Sequence, residues 1–161
     1  MNTGIPAIDQ FTVQAVDQIR FSGVNEELKY SVEIIPQSIT NRVLVAIMDQ
    51  RLLTGMAVAI YPATGEVCDV ANGGGVIGYL SHAPLNPSSP LHCELSIFRF
   101  GRNFVCSVVI AGETFLYPAF SCEISEPMAA LVGKERHNGD SHFNWNHLSV
   151  ELQELNGVIA A

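Results

Sequence analysis

In His92-Cys93-Glu94-Leu95-Ser96 a strand would carry Glu94 on one face with His92 and Ser96, so a carboxylate would have an imidazole and a hydroxyl as neighbours. Such a carboxylate could serve glycoside hydrolysis, a reaction that requires a second carboxyl group about 5 to 9 Å away. No acidic residue lies two or four positions from Glu94, so a partner would have to come from another strand. Glu66 and Asp69, and likewise Glu123 and Glu126, are three apart and would point to opposite faces of a regular strand. Glu94 is therefore the one candidate for catalysis, and an outer-face carboxylate is its simpler reading.

A second concentration of chemistry runs from His137 to His147, where His137, His142, His147 and Asp140 accompany the single Trp145. Imidazoles and a carboxylate can ligate a transition metal, but this spacing does not set them on one side of any element, so no metal site is expected. Trp145 offers a flat ring that could lie against a sugar, with Asn144 and Asn146 supplying hydrogen bonds; its other reading is a cover for the core edge. Asp69 and Asn72 could give oxygen ligands to calcium, yet too few neighbours complete a shell. Asn72-Gly73-Gly74-Gly75 reads first as a turn and second as a ligand-contacting loop. Asn72, Asn144, Trp145 and Asn146 are thus the candidate ligand contacts.

Cys68, Cys93, Cys106 and Cys122 lie far apart, and three of them sit in apolar runs. They read as free buried thiols rather than disulfides or zinc ligands. No nucleophile elbow, phosphate-binding loop or dinucleotide fingerprint occurs, and no cofactor is expected.

The chain has 161 residues, 48% of them hydrophobic and 15% charged, which suits a single domain over 1–161 with a full core. A net charge of −8, with eight scattered Lys and Arg residues, disfavours nucleic acid and anionic membrane surfaces. No run reaches the roughly 18 to 20 apolar residues of a membrane span. Met1-Asn2-Thr3-Gly4 does not read as a secretory signal, so a cytoplasmic location is expected, with signal-free secretion or virion association left open.

The elements that must position these groups are strands. Leu91–Phe100, Asn103–Ile110 and Thr114–Phe120 are separated only by Gly101-Arg102 and Ala111-Gly112, the pattern of consecutive antiparallel hairpins. Leu28, Tyr30, Val32 and Ile34 alternate with Lys29, Ser31 and Glu33, as in a strand with one wet face. Val43–Met48 and Met56–Tyr61 are continuous apolar runs that suit inner strands covered on both faces. Val67–Val70 and Val76–Leu80 are shorter strands. Phe11–Phe21 fits strand or helix, and its β-branched and aromatic residues favour strand. Phe143–Leu152 is a strand expected to face Leu148, Val150 and Leu152 inward, with Phe143, Trp145 and His147 on the other side. One short helix is expected over Ser125–Gly133, with Ser125 as cap and Gly133 as terminator. Eight to ten strands and one minor helix define an all-β fold, a two-sheet antiparallel sandwich or a barrel.

In order, Tyr30–Ile35, the pair Val43–Met48 and Met56–Tyr61, Gly65, Asn72–Gly75, the hairpin at Gly101-Arg102-Asn103 and the closing run Glu113–Phe120 resemble the concanavalin A-like jelly-roll superfamily. That group includes lectins, laminin-G-like modules, many glucanases and SPRY domains. The run Leu116-Tyr117-Pro118-Ala119-Phe120-Ser121 is similar to a late SPRY strand, although Trp145 is the only tryptophan. The resemblance covers roughly Leu28 to Phe120 and implies a two-sheet jelly roll. It further implies a noncatalytic, lectin-like recognition module that binds a glycan or protein partner through loops and one sheet face. A glucanase-like hydrolase using Glu94 is the alternative, and a structural or self-assembly role as a homo-oligomer is the third.

Overall fold

The computed structural model describes residues 8–21, 25–73, 75–122, 127–136 and 144–155. Eleven strands run through these residues: β1 (Phe11–Ile19), β2 (Asn25–Ile35), β3 (Val43–Asp49), β4 (Gly55–Tyr61), β5 (Glu66–Asp69), β6 (Gly75–Tyr79), β7 (Leu91–Phe100), β8 (Asn103–Ile110), β9 (Glu113–Ser121), β10 (Met128–Glu135) and β11 (Asn144–Glu154). They form a six-stranded sheet in the order β1-β10-β3-β4-β5-β6 and a five-stranded sheet in the order β11-β2-β7-β8-β9. Every neighbouring pair is antiparallel. The fold is all-β and, of the sandwich and the barrel that the hairpin spacing and the alternating runs allow, it is the two-sheet antiparallel sandwich that the resemblance also implies.

Both expected tight turns are present. Gly101 (φ 65°) opens the β7–β8 reversal, and Ala111 (φ 52°) with Gly112 (φ 82°) forms the β8–β9 reversal. Positive φ at these central positions matches the twist of the flanking strands. The alternation of β2 is read out directly, since Leu28, Tyr30, Val32 and Ile34 are fully buried while Lys29 and Glu33 stay half-buried on the other face.

Inward side chains of both sheets meet in one large apolar cluster, with Val45, Ile47, Val58 and Ile60 from the six-stranded sheet against Val32, Leu95, Ile97 and Val108 from the five-stranded one. The six-stranded sheet is also apolar on its outer face. There Phe11, Leu44, Ala46, Met48, Ala57, Ala59 and Leu131 form a second cluster with Ile8 and Val70. This double burial explains the unbroken apolar runs of β3 and β4.

The same double burial corrects the expected helix over Ser125–Gly133. Residues 123–126 lie outside the described set, and Met128–Glu135 is strand β10, inserted between β1 and β3. Met128, Ala130 and Val132 enter the main core while Leu131 joins the second cluster, so apolar residues fill both parities and mimic a helical composition. Gly133 does not terminate anything. A Cβ there would fall 2.9 Å from the Thr12 carbonyl oxygen, so its role is the close approach of β1.

The phase of β11 matches expectation at Val150 and Leu152 and differs from it before them. Its register against β2 shifts between His147 and Ser149, which pairs Trp145, His147, Val150 and Leu152 with the inward residues Ile34, Val32, Tyr30 and Leu28. Leu148 is the extra residue of this bulge and is 45% exposed. One inserted residue reverses every side chain before it, which strict alternation cannot foresee.

Two phenols cross the interior. Tyr30 of β2 donates to the Leu131 carbonyl of β10 at 3.2 Å. Tyr117 of β9 donates to Asp69 Oδ1 at 2.5 Å and accepts from the Ala57 amide at 3.1 Å and from Asn72 Nδ2 at 3.0 Å. Burial, then the Asp69 hydrogen bond, pushes the Tyr117 hydroxyl well above the usual tyrosine range, so it stays a donor.

Tyr117→Phe leaves the buried Asp69 carboxylate and the buried Ala57 amide without this partner, and should lower stability by about 2 kcal/mol, whereas Tyr30→Phe should cost about 1 kcal/mol. Urea denaturation checks the order, and equal or negligible losses would contradict it.

All four cysteines are free. Burial pushes Cys93 and Cys106 up to about 12, and burial followed by the neighbouring Glu66 carboxylate pushes Cys68 up to about 11. A thiol whose folded pKa is raised contributes stability that is complete below the unfolded value near pH 9 and is lost as pH climbs toward 12. Denaturation at a series of pH values should therefore show an alkaline decline beginning near pH 9, shallower in a Cys93→Ala/Cys106→Ala variant.

Candidate functional site

The antiparallel register converts the outer face of the five-stranded sheet into rows of side chains about 4.8 Å apart. Asn146 of β11, Glu33 of β2 and His92 of β7 form one row. Ser149, Ser31, Glu94, Val109 and Thr114 form the next. The third carries Glu151, Lys29, Ser96, Ser107 and Leu116. Hydroxyls, carboxylates, an amide and an imidazole therefore crowd the β11-β2-β7 side, while Leu116 (82% exposed) and Val105 (51%) make the β8-β9 side apolar.

Glu94 occupies the middle of this face. Its direct cross-strand neighbours are Ser31 and Val109, and Ser31 Oγ donates to Glu94 Oε2 at 3.4 Å. The nearest acid by register is Glu33, opposite His92 and hence diagonal to Glu94, a relation that sets Cα atoms about 7 to 8 Å apart. Sequence spacing had given Glu94 no partner, because Glu33 lies on a strand paired in the reverse direction. Lys29 stands opposite Glu151, so the row below the two glutamates holds one positive charge between strands.

Structure separates the four candidate contacts. Asn144 and Asn146 are exposed on β11, and Asn146 belongs to the polar face beside Glu33. Trp145 is turned to the core side, half-buried against the main cluster, with its indole N–H donating to Gln14 Oε1 of β1 at 3.1 Å. It closes the open edge between the sheets. Asn72 is at the other flank of the six-stranded sheet, where its side-chain amide donates to the Gly55 carbonyl and to Tyr117 Oη, both at 3.0 Å. Four strand spacings, about 19 Å, lie between β1 and β5. Asn72 and Asp69 build the Tyr117 tie: Asp69 Oδ1 accepts from the amides of Ala71 and Asn72, both at 3.0 Å, as well as from the phenol.

His137, Asp140 and His142 lie outside the described residues, and His147 is exposed on β11. Among the described residues no three His, Cys, Asp or Glu side chains converge on a metal-sized space. The raised pKa values of Cys68, Cys93 and Cys106 keep these thiols protonated at neutral pH, which makes them poor nucleophiles.

Trp145→Ala should lower stability by about 2 kcal/mol through lost apolar contact. A variant as stable as the parent would show that the indole does not close the sandwich edge.

No family model matches the chain, and no curated protein matches it. Among solved structures it is similar to a tetrameric galectin from the ball sponge Cinachyrella, at 9% identity and TM-score 0.43 over 89% of this chain and 99% of that one. Sheep galectin-11, solved with glycerol, aligns at 12% identity and TM-score 0.37 over 88% of this chain and 96% of that one. A xylan β-1,4-xylosidase from Bacillus halodurans C-125 aligns at 10% identity and TM-score 0.44, over 84% of this chain and 28% of the xylosidase.

Proposed function

We propose that this protein is a noncatalytic recognition module that binds a hydroxyl-rich ligand, a glycan, on the outer face of its five-stranded sheet. The observation that carries the reading is the pairing register. It brings Asn146, Glu33, His92, Glu94 and Ser96 into adjacent rows on the outer face of the sheet, with the buried Ser31 donating to Glu94. Small hydroxyls, an amide and carboxylates at sheet spacing can donate to and accept from successive sugar hydroxyls without a charged ligand. The apolar side with Leu116 and Val105 would meet the less polar face of a sugar ring. The reading does not rest on Trp145, whose ring packs against the sandwich edge, or on Asn72, whose amide donates to Gly55 and Tyr117.

One observation favours a second reading, glycoside hydrolysis. Glu33 and Glu94 are diagonal neighbours on one face, and the inverting arrangement holds its two carboxyl groups about 6.5 to 9.5 Å apart. That reading requires turnover, not only binding.

A glycan array followed by calorimetry on the hits separates the two. Recognition predicts saturable binding, no release of reducing ends, and a roughly fivefold weaker affinity for Asn146→Ala and Glu94→Gln with unchanged melting, the size of one hydrogen bond each. No binding to any glycan would reject the proposal. Reducing-end release abolished by Glu94→Gln would replace it with the hydrolase.

A further inference from the structure

Each sheet ends in two edge strands, and three of these edges carry features that discourage further pairing. β1 has a bulge between Ala15 and Asp17, β11 has its bulge at Leu148 and the acids Glu151 and Glu154, and β6 is five residues long with glycines at 75 and 78. β9 differs. From Glu113 to Tyr117 it pairs with β8 without irregularity. β8 and β9 together carry one charged side chain, Glu113 beside their turn, although the chain holds 16 acids and 8 Lys and Arg residues. Leu116, on the outer side of this edge, is the most exposed large apolar side chain among the described residues.

The β8–β9 turn decides which backbone groups of the edge point outward. Ala111 and Gly112 both have positive φ, the type I′ conformation of a two-residue hairpin turn. The residues that flank such a turn, Ile110 and Glu113, exchange their backbone hydrogen bonds. Bonding alternates along an antiparallel strand, so Glu113, Phe115 and Tyr117 bond to β8, while the N–H and C=O groups of Thr114 and Leu116 point out of the sheet. Among the described residues no backbone group bonds to them. Pro118, which has no N–H, and the register shift between Phe104 and Cys106 end the open stretch.

We propose that this stretch of β9 pairs with β9 of a second copy, antiparallel, across a two-fold axis through Phe115. The stretch is self-complementary in that register. Thr114 of each copy lies opposite Leu116 of the other, and such a pair exchanges both its hydrogen bonds, so every outward N–H and C=O of the two residues is satisfied. Pro118 falls beyond the paired residues, where its missing donor costs nothing. The two Leu116 side chains become diagonal neighbours on the outer face, within reach of each other. The two Glu113 carboxylates lie four residues apart along the strands, about 13 Å, which exceeds the screening length of about 8 Å at physiological salt. A chain of net charge −8 can thus meet its own copy here without close like charges, whereas an uncharged edge offers a foreign peptide no charged group to be selected by.

The contact is short, about 17 Å of strand, which makes the dimer weak and concentration-dependent. It joins the two five-stranded sheets into one continuous sheet with both outer faces on the same side. The β7 strands that carry Glu94 then stand five strand spacings apart, about 24 Å. A glycan bound on that face would meet two sites at once, a consequence that rests on the proposed function, while the pairing itself does not.

Sedimentation velocity on the full chain from dilute to near-millimolar solution, with amide hydrogen exchange at both extremes, tests the pairing. A dimer should form as concentration rises, and the Thr114 and Leu116 amides should then exchange about tenfold more slowly, while Phe115 and Tyr117, already bonded to β8, change little. Leu116→Lys and Thr114→Pro should each weaken association about tenfold or more, with slow exchange retained across β3 and β4 as proof that the variants fold. A monomer at every concentration would overturn the proposal. So would a dimer that leaves Thr114 and Leu116 exchanging fast or that survives both substitutions, because its contact lies elsewhere. Slow exchange of these two amides at all concentrations would also overturn it, since another part of the chain then covers the edge.

Discussion

Two tyrosine hydroxyls crossing an apolar core are the interaction on which the rest of this sandwich depends. Apolar burial drives the sheets together but does not choose how they are set against one another, because such attraction has no direction. Tyr30 reaches from β2 to the backbone of β10, and Tyr117 reaches from β9 to β4 and β5. They fasten the sheets on both flanks. Each phenol brings a polar atom into a low-dielectric layer, where it is favourable only with its partner in place, so a misaligned stacking is penalised while the native one is not.

With the interior committed in this way, the two sheets differ in what their outer faces present. The five-stranded sheet is apolar inward and, on its β11-β2-β7 side, polar outward, where it presents rows of hydroxyl, amide and carboxylate groups around Glu94. The six-stranded sheet buries both faces of β3 and β4, and its outer apolar layer opens into a concavity beside β1. One face suits a ligand that hydrogen-bonds along the strands. The other presents an apolar concavity.

Much of the scaffold was legible because its signals are local. The alternation of Leu28 to Ile34, the continuous runs of β3 and β4 and the glycines at 101 and 112 each state their structure within a few residues. What failed was whatever depends on neighbours distant in the chain. Nothing near Ala129-Ala130-Leu131 announces that a strand will lie between β1 and β3, and an alanine-rich run buried on both faces looks helical until its partners are known. A single bulge at Leu148 turned Trp145 from an exposed ring into the cover of an edge, in contact with Gln14 across 131 positions. Glu94 was readable as a face residue, but its diagonal neighbour Glu33 emerges only from the β2–β7 register. Asn72 was singled out for its polar turn, and its real engagement is with Tyr117, 45 residues away.

The central claim is that β3, β4 and β10 form the doubly buried middle of a six-stranded sheet tied to its partner by these phenols. Native-state amide hydrogen exchange tests it most directly, since amides that open only with global unfolding share the slowest rate. The account predicts that Val43–Asp49, Gly55–Tyr61 and Met128–Glu135 form that slowest group together. Rapid exchange across Met128–Glu135, with β3 and β4 still protected, would contradict it.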